Sequence, residues 1–293
     1  MSLETLSGIQ GIEVHKGADL TKMSTMRLKA QGDLVLVKNT EALREFVKNV
    51  KSYIVLGWGA NQLLRQESDR PYLKLDFPFN REILGTVQDQ YTLPASVSLP
   101  TLTSAANKLK LSGWEVFTGI PASLGGAVAM NAGTGLGEMA QVTKSFKVMN
   151  KNGEVRKVIC APGTFSYRTN NDLEHGDVVF EVVLGHEGID ESVPKTIKDY
   201  LSYRNSTQPM SAKTCGCIFK NHIDAKTTCR AGQSLDRIGL KGFKYKNLRV
   251  SPKHANFIEN LGDSTFEDVM ELIEILKEKL KDAYGVEFEM EVR

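Results

Sequence analysis

Apolar runs of strand length alternate with segments of helical period along the whole chain, which predicts a mixed fold, α+β or α/β. Two further observations bound that reading. The 293 residues suffice for about two domains, and 41% hydrophobic with 25% charged content is the composition of a globular protein. A helical segment that runs into a polar turn marks a domain boundary near residues 203–212.

The elements follow in order. "DLVLVKN" reads as a strand, and "TEALREFVKNV" as a short helix capped by Thr40. "YIVLG" is a buried strand ending at Gly57, and "PYLKLD" and "LPASVSL" are further strands. "PTLTSAANKLKLSG" has helical spacing, with Pro100 near its start and Gly113 after its end. "FKVMNKNGEVRKVIC" predicts a hairpin turning at Asn152-Gly153. "DVVFEVVLGH" is a strand and "VPKTIKDYLSYRNSTQ" a helix. The last third alternates: strand "GCIFKN", helix "AGQSLDRIGL", strand "NLRVSP", helix "STFEDVMELIEILKEKLKDAYG", strand "VEFEMEVR". Ser264 with Glu267 three residues on predicts a capping box for the long helix.

Charge and cysteines exclude several classes. A formal charge of +2 from scattered basic residues gives neither a nucleic-acid face nor an acidic tail. No apolar run approaches the roughly 20 residues that cross a bilayer, and the N-terminus lacks the pattern of a secretion signal. Four irregularly spaced cysteines make no disulfide scaffold, so a cytoplasmic protein with reduced thiols is expected.

Two glycine-rich loops stand out. "LGWGANQLL" follows a strand but is neither a Walker loop nor the Rossmann fingerprint. Gly57 and Gly59 let its backbone approach a ligand, Ala60 keeps it small, and Asn61 adds an amide. In "GIPASLGGAVAMNAG", Gly119, Gly125, Gly126 and Gly133 surround Ile120, Pro121, Ala122, Ser123, Ala127, Asn131 and Ala132. Either loop alone reads as a turn or as tight helix–strand packing. Two of them, roughly 60 residues apart and each following an apolar segment, fit a dinucleotide better.

"TCGCIF" places Cys215 and Cys217 one residue apart. Three readings compete: a zinc clasp completed by His222 and Cys229, an accidental pair in a buried strand, or one catalytic thiol beside a bystander. The zinc spacing is not the paired-knuckle pattern, so no metal is expected.

Nine segments carry a resemblance: "TMRL", "GWGANQLL", "GIPASLGGAVAMNAG", "YRTN", "RNSTQP", "GCIFKN", "AGQSLDRIGLKG", "VSPKHANFIEN" and "YGVEFEMEVR". In order and spacing, from about residue 19 onward, they resemble the UDP-N-acetylenolpyruvoylglucosamine reductases, flavoenzymes of bacterial cell-wall precursor synthesis. The resemblance implies an α+β chain with a two-subdomain FAD-binding fold of the vanillyl-alcohol-oxidase type, over residues 1–75 and 76–205. A substrate-binding domain follows over 206–293. The length resembles the short form of the family, without a lid insertion. Non-covalent FAD, NADPH as reductant, a UDP-sugar substrate and a monomer are implied with it.

The family's chemistry passes hydride from the reduced flavin to an enolpyruvyl double bond. The developing enolate then needs a charge holder, and the adjacent carbon needs a proton. The resemblance assigns the charge to Arg168 and Glu291 and the proton to Cys217. Read alone, Arg168 is a surface arginine near a turn, and Glu291 is the last of three alternating acids with Glu287 and Glu289. Asn170 stands where the family usually has serine, and the chain ends at Arg293, short of its relatives. Tyr167, Gln208, Lys220, Asn221, His254 and Asn256 match positions near the substrate, and Arg27 a support of the flavin part. Another flavoenzyme of this fold, a non-catalytic module and a zinc protein are the alternatives.

Overall fold

The computed structural model describes residues 3–223 and 228–293. They fall into two compact units. The first comprises Met1–Gly17, Asp33–Trp58 and Asp69–Leu201, and the second Ala18–Gly32, Gly59–Ser68 and Ser202–Arg293. The domains read from the sequence are contiguous stretches; the units are interleaved, because two short N-terminal segments pack with the C-terminal third.

The first unit begins with α1 (Leu3–Leu6), β1 (Ile12–Asp19), β2 (Gln31–Val37), α2 (Thr40–Asn49), β3 (Ile54–Val55) and β4 (Tyr72–Leu75). Its first sheet has the order β1-β2-β4-β3, with β4 parallel to both neighbours. Ala42, Leu43, Phe46 and Val47 recur at helical spacing and bury one face of α2. Its cap is Asn39, whose side chain accepts from the Ala42 N–H, rather than Thr40, which is already helical.

β5 (Gln90–Pro94) and α3 (Leu99–Leu109) follow. Only Leu93 and Pro94 of "LPASVSL" lie in the strand, because Ser98 caps α3 by accepting from the Thr101 N–H. Lys110, left-handed at φ 58°, ends that helix; Gly113 instead opens the short 3-10 turn Trp114–Phe117.

Next come α4 (Leu124–Ala129), β6 (Gly133–Thr134), β7 (Gly137–Glu138), α5 (Met139–Val142), β8 (Thr143–Met149), β9 (Val155–Ile159), β10 (Phe165–Ser166), β11 (Thr169–Asn170), β12 (Val178–Gly185) and α6 (Val193–Thr207). β12 is central in an antiparallel sheet of order β5-β12-β8-β9, which explains its near-continuous apolar run. The β8–β9 hairpin turns as expected: Asn150 accepts from the N–H groups of Asn152 and Glu154, and Gly153 sits at φ 79°.

The second unit holds β13 (His222–Ile223), β14 (Thr228–Cys229), α7 (Ala231–Arg237), β15 (Lys244–Tyr245), β16 (Leu248–Val250), β17 (Ile258–Asn260) and α8 (Phe266–Tyr284). β15, β16 and β17 form an antiparallel meander. Val269, Leu272, Ile273, Leu276 and Leu280 make the buried stripe of α8. Its capping box is Thr265 with Asp268, one residue later than expected, because Ser264 instead donates to the Asn247 carbonyl. "GCIFKN" and the C-terminal segment form isolated antiparallel pairings instead of long strands: Cys217 with Phe257 and Phe219 with Met290.

Candidate active site

The two glycine loops meet at Gly57 and Ser123. A Cβ on Gly57 would lie 2.6 Å from Ser123 Oγ, so only glycine lets the first loop approach the second. Ser123 caps α4 through the Gly126 N–H. Gly125 is packing: its Cβ would meet that of Ala95 at 2.7 Å. Ala127 and Ala132 are buried, and the Ala132 N–H donates to the Ala127 carbonyl. Gly126 is exposed, with only Ser123 Oγ near its missing side chain. Pro121 is exposed beside it, Ile120 is half-buried, and Gly119 bends the chain at φ 73°. The stretch thus has packing glycines and alanines inside and a bare backbone surface outside. That cradle, and the Gly57 and Trp58 N–H groups with no acceptor among the described residues, fit an anionic dinucleotide.

Gly59, Ala60 and Asn61 continue the first loop within the second unit. Gly59 is left-handed at φ 61°, and its Cβ would lie 2.2 Å from the Met23 carbonyl. Asn61 donates to the Glu291 carbonyl at 3.0 Å and accepts from the Arg293 N–H at 3.1 Å. The Leu63 N–H closes on the Arg293 carbonyl. These bonds tie the segment ending at Arg293 to the loop.

In the first unit, Arg168 occupies the two-residue turn between β10 and β11 at φ 56°, a conformation costly for a residue with a side chain. Its guanidinium lies over the Tyr167 ring at 5.1 Å, donates to the Gly133 carbonyl at 3.2 Å and stands 3.5 Å from Glu138. Asn131, buried and itself at φ 47°, donates to the other Glu138 oxygen at 2.8 Å. Asn131, Gly133 and Arg168 therefore converge around Glu138, which the sequence reading missed. The available signal was an acid in the same glycine-rich segment as a predicted anion site. Asn170 is buried and donates to the Val128 carbonyl at 3.2 Å, which ties the hairpin to α4 and leaves the guanidinium alone.

In the second unit, the segment after Gly216 is held from both sides. The Ile218 N–H donates to the Asn256 carbonyl at 2.9 Å, and the Glu291 N–H to the Ile218 carbonyl at 2.7 Å. Gly216 at φ 85° breaks the alternation of the strand, so its flanking thiols take different surroundings. Cys215 lies in the core with its Sγ 3.5 Å from Met26 Sδ, and burial pushes its pKa up to about 12. Cys217 is half-exposed. The Glu291 backbone is hydrogen-bonded to Ile218, the residue after Cys217, so the two segments run side by side. Glu287 and Glu289 are exposed and pair with Lys281 and Lys220, whereas Glu291 is half-buried.

The remaining positions have structural partners. Lys220 pairs with Glu289 at 2.9 Å, and Asn221 accepts from the Ala231 N–H that opens α7. Asn256 is buried, and its amide accepts from and donates to the backbone of Phe219, which holds the Cys217 segment. His254 packs edge-on against Phe257, and its Nδ1 accepts from the Asn256 N–H; burial lowers its pKa. Gln208 accepts from Arg204 at the end of α6. Arg27 lies in the second unit, where its carbonyl accepts from Asn260. Among the described residues no three His, Cys, Asp or Glu gather as metal ligands, and no helix is long and apolar enough to cross a membrane.

The chain is similar to known proteins over nearly its whole length. Residues 34–159 match the FAD binding domain model, and residues 208–293 match UDP-N-acetylenolpyruvoylglucosamine reductase, C-terminal domain. The reductase of that name from Bacillus pumilus (strain SAFR-032) is 30% identical over 287 residues, 96% of this chain and 93% of its own. That from Streptococcus pneumoniae (strain JJA) is 33% identical, covering 97% and 95%. The crystal structure of the Thermus caldophilus reductase matches with a TM-score of 0.79 at 30% identity, covering 96% and 98%. The fold is that of an FAD-dependent oxidoreductase. The chain belongs to the UDP-N-acetylenolpyruvoylglucosamine reductase family.

Proposed function

We propose that the chain reduces UDP-N-acetylglucosamine enolpyruvate to UDP-N-acetylmuramate, as a cytoplasmic monomer, with Arg168, Glu291 and Cys217 as its catalytic residues. The observation that carries this reading is the break at Gly216, which buries one thiol and leaves Cys217 half-exposed, next to the residue whose carbonyl accepts from the Glu291 N–H. FAD, reduced by NADPH, supplies the hydride to the enolpyruvyl double bond.

The glycine loops contribute backbone N–H groups for the cofactor's diphosphate. Their exposed surface at Gly126 and the close approach of Gly57 to Ser123 support that role. Arg168 holds the substrate carboxylate, whose charge grows as the enolate forms; a guanidinium stays protonated and presents a planar fork. Glu138 and the Gly133 carbonyl orient that fork before substrate arrives. Cys217 gives its Sγ proton to the carbon beside the carboxylate, and a thiol of ordinary pKa near 8.5 is a stronger acid than a hydroxyl. Glu291 acts in its protonated form, since an ionised carboxylate would oppose the enolate.

The test is spectral. The purified protein should be yellow, release its flavin on acid precipitation, bleach with NADPH and recover its colour when the enolpyruvyl substrate is added without oxygen. Recovery only with oxygen would replace the reductase by an oxidase of the same fold.

A further inference from the structure

The half-buried Lys74 is unused by the chemistry above. It lies on β4, between β2 and β3, and its ammonium donates to the Gly57 carbonyl at 2.7 Å. Among the described residues it forms no ion pair, so a desolvated cation is matched by one neutral carbonyl. Burial lowers its pKa, and the nearby Asp76 carboxylate only partly opposes this. An ammonium kept in such a place is costly unless an anion joins it.

The carbonyl it holds belongs to the first glycine loop. In a planar trans peptide the C=O and the following N–H point in opposite directions. Fixing the Gly57 oxygen toward Lys74 therefore turns the Trp58 N–H away from the Lys74 ammonium. Gly57 is also confined on its other side, since any Cβ there would meet Ser123 Oγ at 2.6 Å. The Trp58 N–H has no acceptor among the described residues, and Trp58, between the two glycines, is 44% exposed.

We infer that Lys74 is a positioning residue for cofactor binding: it orients the Gly57–Trp58 peptide so that its N–H meets the flavin diphosphate, and adds a positive charge behind that loop. This rests on the reading of the loop as the diphosphate site. Lys74 takes no part in hydride or proton transfer.

The experiment titrates the full chain, stripped of flavin, with FAD, and then with ADP and adenosine as competitors. Lys74→Met removes donor and charge; Lys74→Arg keeps both. Lys74→Met should weaken FAD and ADP by a similar factor, about tenfold to a hundredfold, as expected for a lost charge-assisted hydrogen bond. Adenosine should bind as before, and Lys74→Arg should recover most of the loss. Thermal unfolding of the stripped variants checks that the sheet is intact. Equal affinity of wild type and Lys74→Met for FAD overturns the inference. So does a loss shared by adenosine, or one that Lys74→Arg fails to restore. A wild-type chain that binds no FAD at all sinks the flavin site itself, and the inference with it.

Discussion

The pair in "TCGCIF" shows how far single residues were legible. Resemblance pointed to Cys217, but only the left-handed φ of Gly216 explains why neighbours one residue apart differ, and a backbone angle is not written in residue type. Glu138 was invisible for a related reason: its partners Asn131 and Arg168 are brought to it by turns. Alkylation by a thiol reagent at neutral pH should therefore modify Cys217 before Cys215, which burial and its raised pKa protect. Peptide mass mapping reads the order, and labelling of Cys215 ahead of Cys217 would reverse their roles. Cys215→Ser should keep its turnover but lose about 1–3 kcal/mol of stability, because a hydroxyl enters an apolar core beside Met26. Gly216→Ala should cost about 1–2 kcal/mol through backbone strain alone, since no atom lies within 4 Å of the added Cβ. Denaturant midpoints measure both.

Among the elements, long periodic segments were plain in the sequence and their ends were not. The stripes of α2 and α8 fell where spacing put them, yet each cap moved by one residue. Adjacent polar residues compete for a cap, and the tertiary partner decides: Ser264 is taken by the Asn247 carbonyl, so Thr265 caps. Asn39→Ala should destabilise the chain by about 1 kcal/mol, and Thr40→Ala by clearly less. The segment before β17 allows a pH test. His254 has its pKa lowered by burial, with Lys241 lowering it further and Asp236 opposing. The unfolded chain then takes up a proton before the folded one does. Its contribution is full above the ordinary histidine value near 6.5 and is lost as pH falls from there toward the lower folded value. The stability difference between wild type and His254→Gln should shrink from pH 7 to pH 5, and a difference independent of pH would show that His254 titrates normally.

For the whole molecule, the order of nine weak segments disclosed the family, because their joint spacing is improbable where each alone is common. The interleaving of Ala18–Gly32 and Gly59–Ser68 with the C-terminal third was not legible, since it depends on which surfaces pack and not on local pattern. Arg168 consequently belongs to the first unit, while Glu291 and Cys217 belong to the second. Their roles nonetheless predict one shared kinetic signature. In the roles proposed for them, all three act on charge that exists only while the enolpyruvyl group is being reduced, so NADPH should bleach the flavin of Arg168→Ala, Glu291→Ala and Cys217→Ala at nearly the wild-type rate. Reoxidation by substrate should slow by about a hundredfold or more in each, the scale seen when a positioned charge or proton donor is removed. Cys217→Ser should retain substantial activity, because a hydroxyl still carries a transferable proton. Stopped-flow measurement of the two half-reactions separates this from damage to the fold. A variant of Arg168 that bleached as slowly as it recovered would give the residue a part in holding the flavin loops, close as its guanidinium is to the Gly133 carbonyl, instead of in holding the enolate.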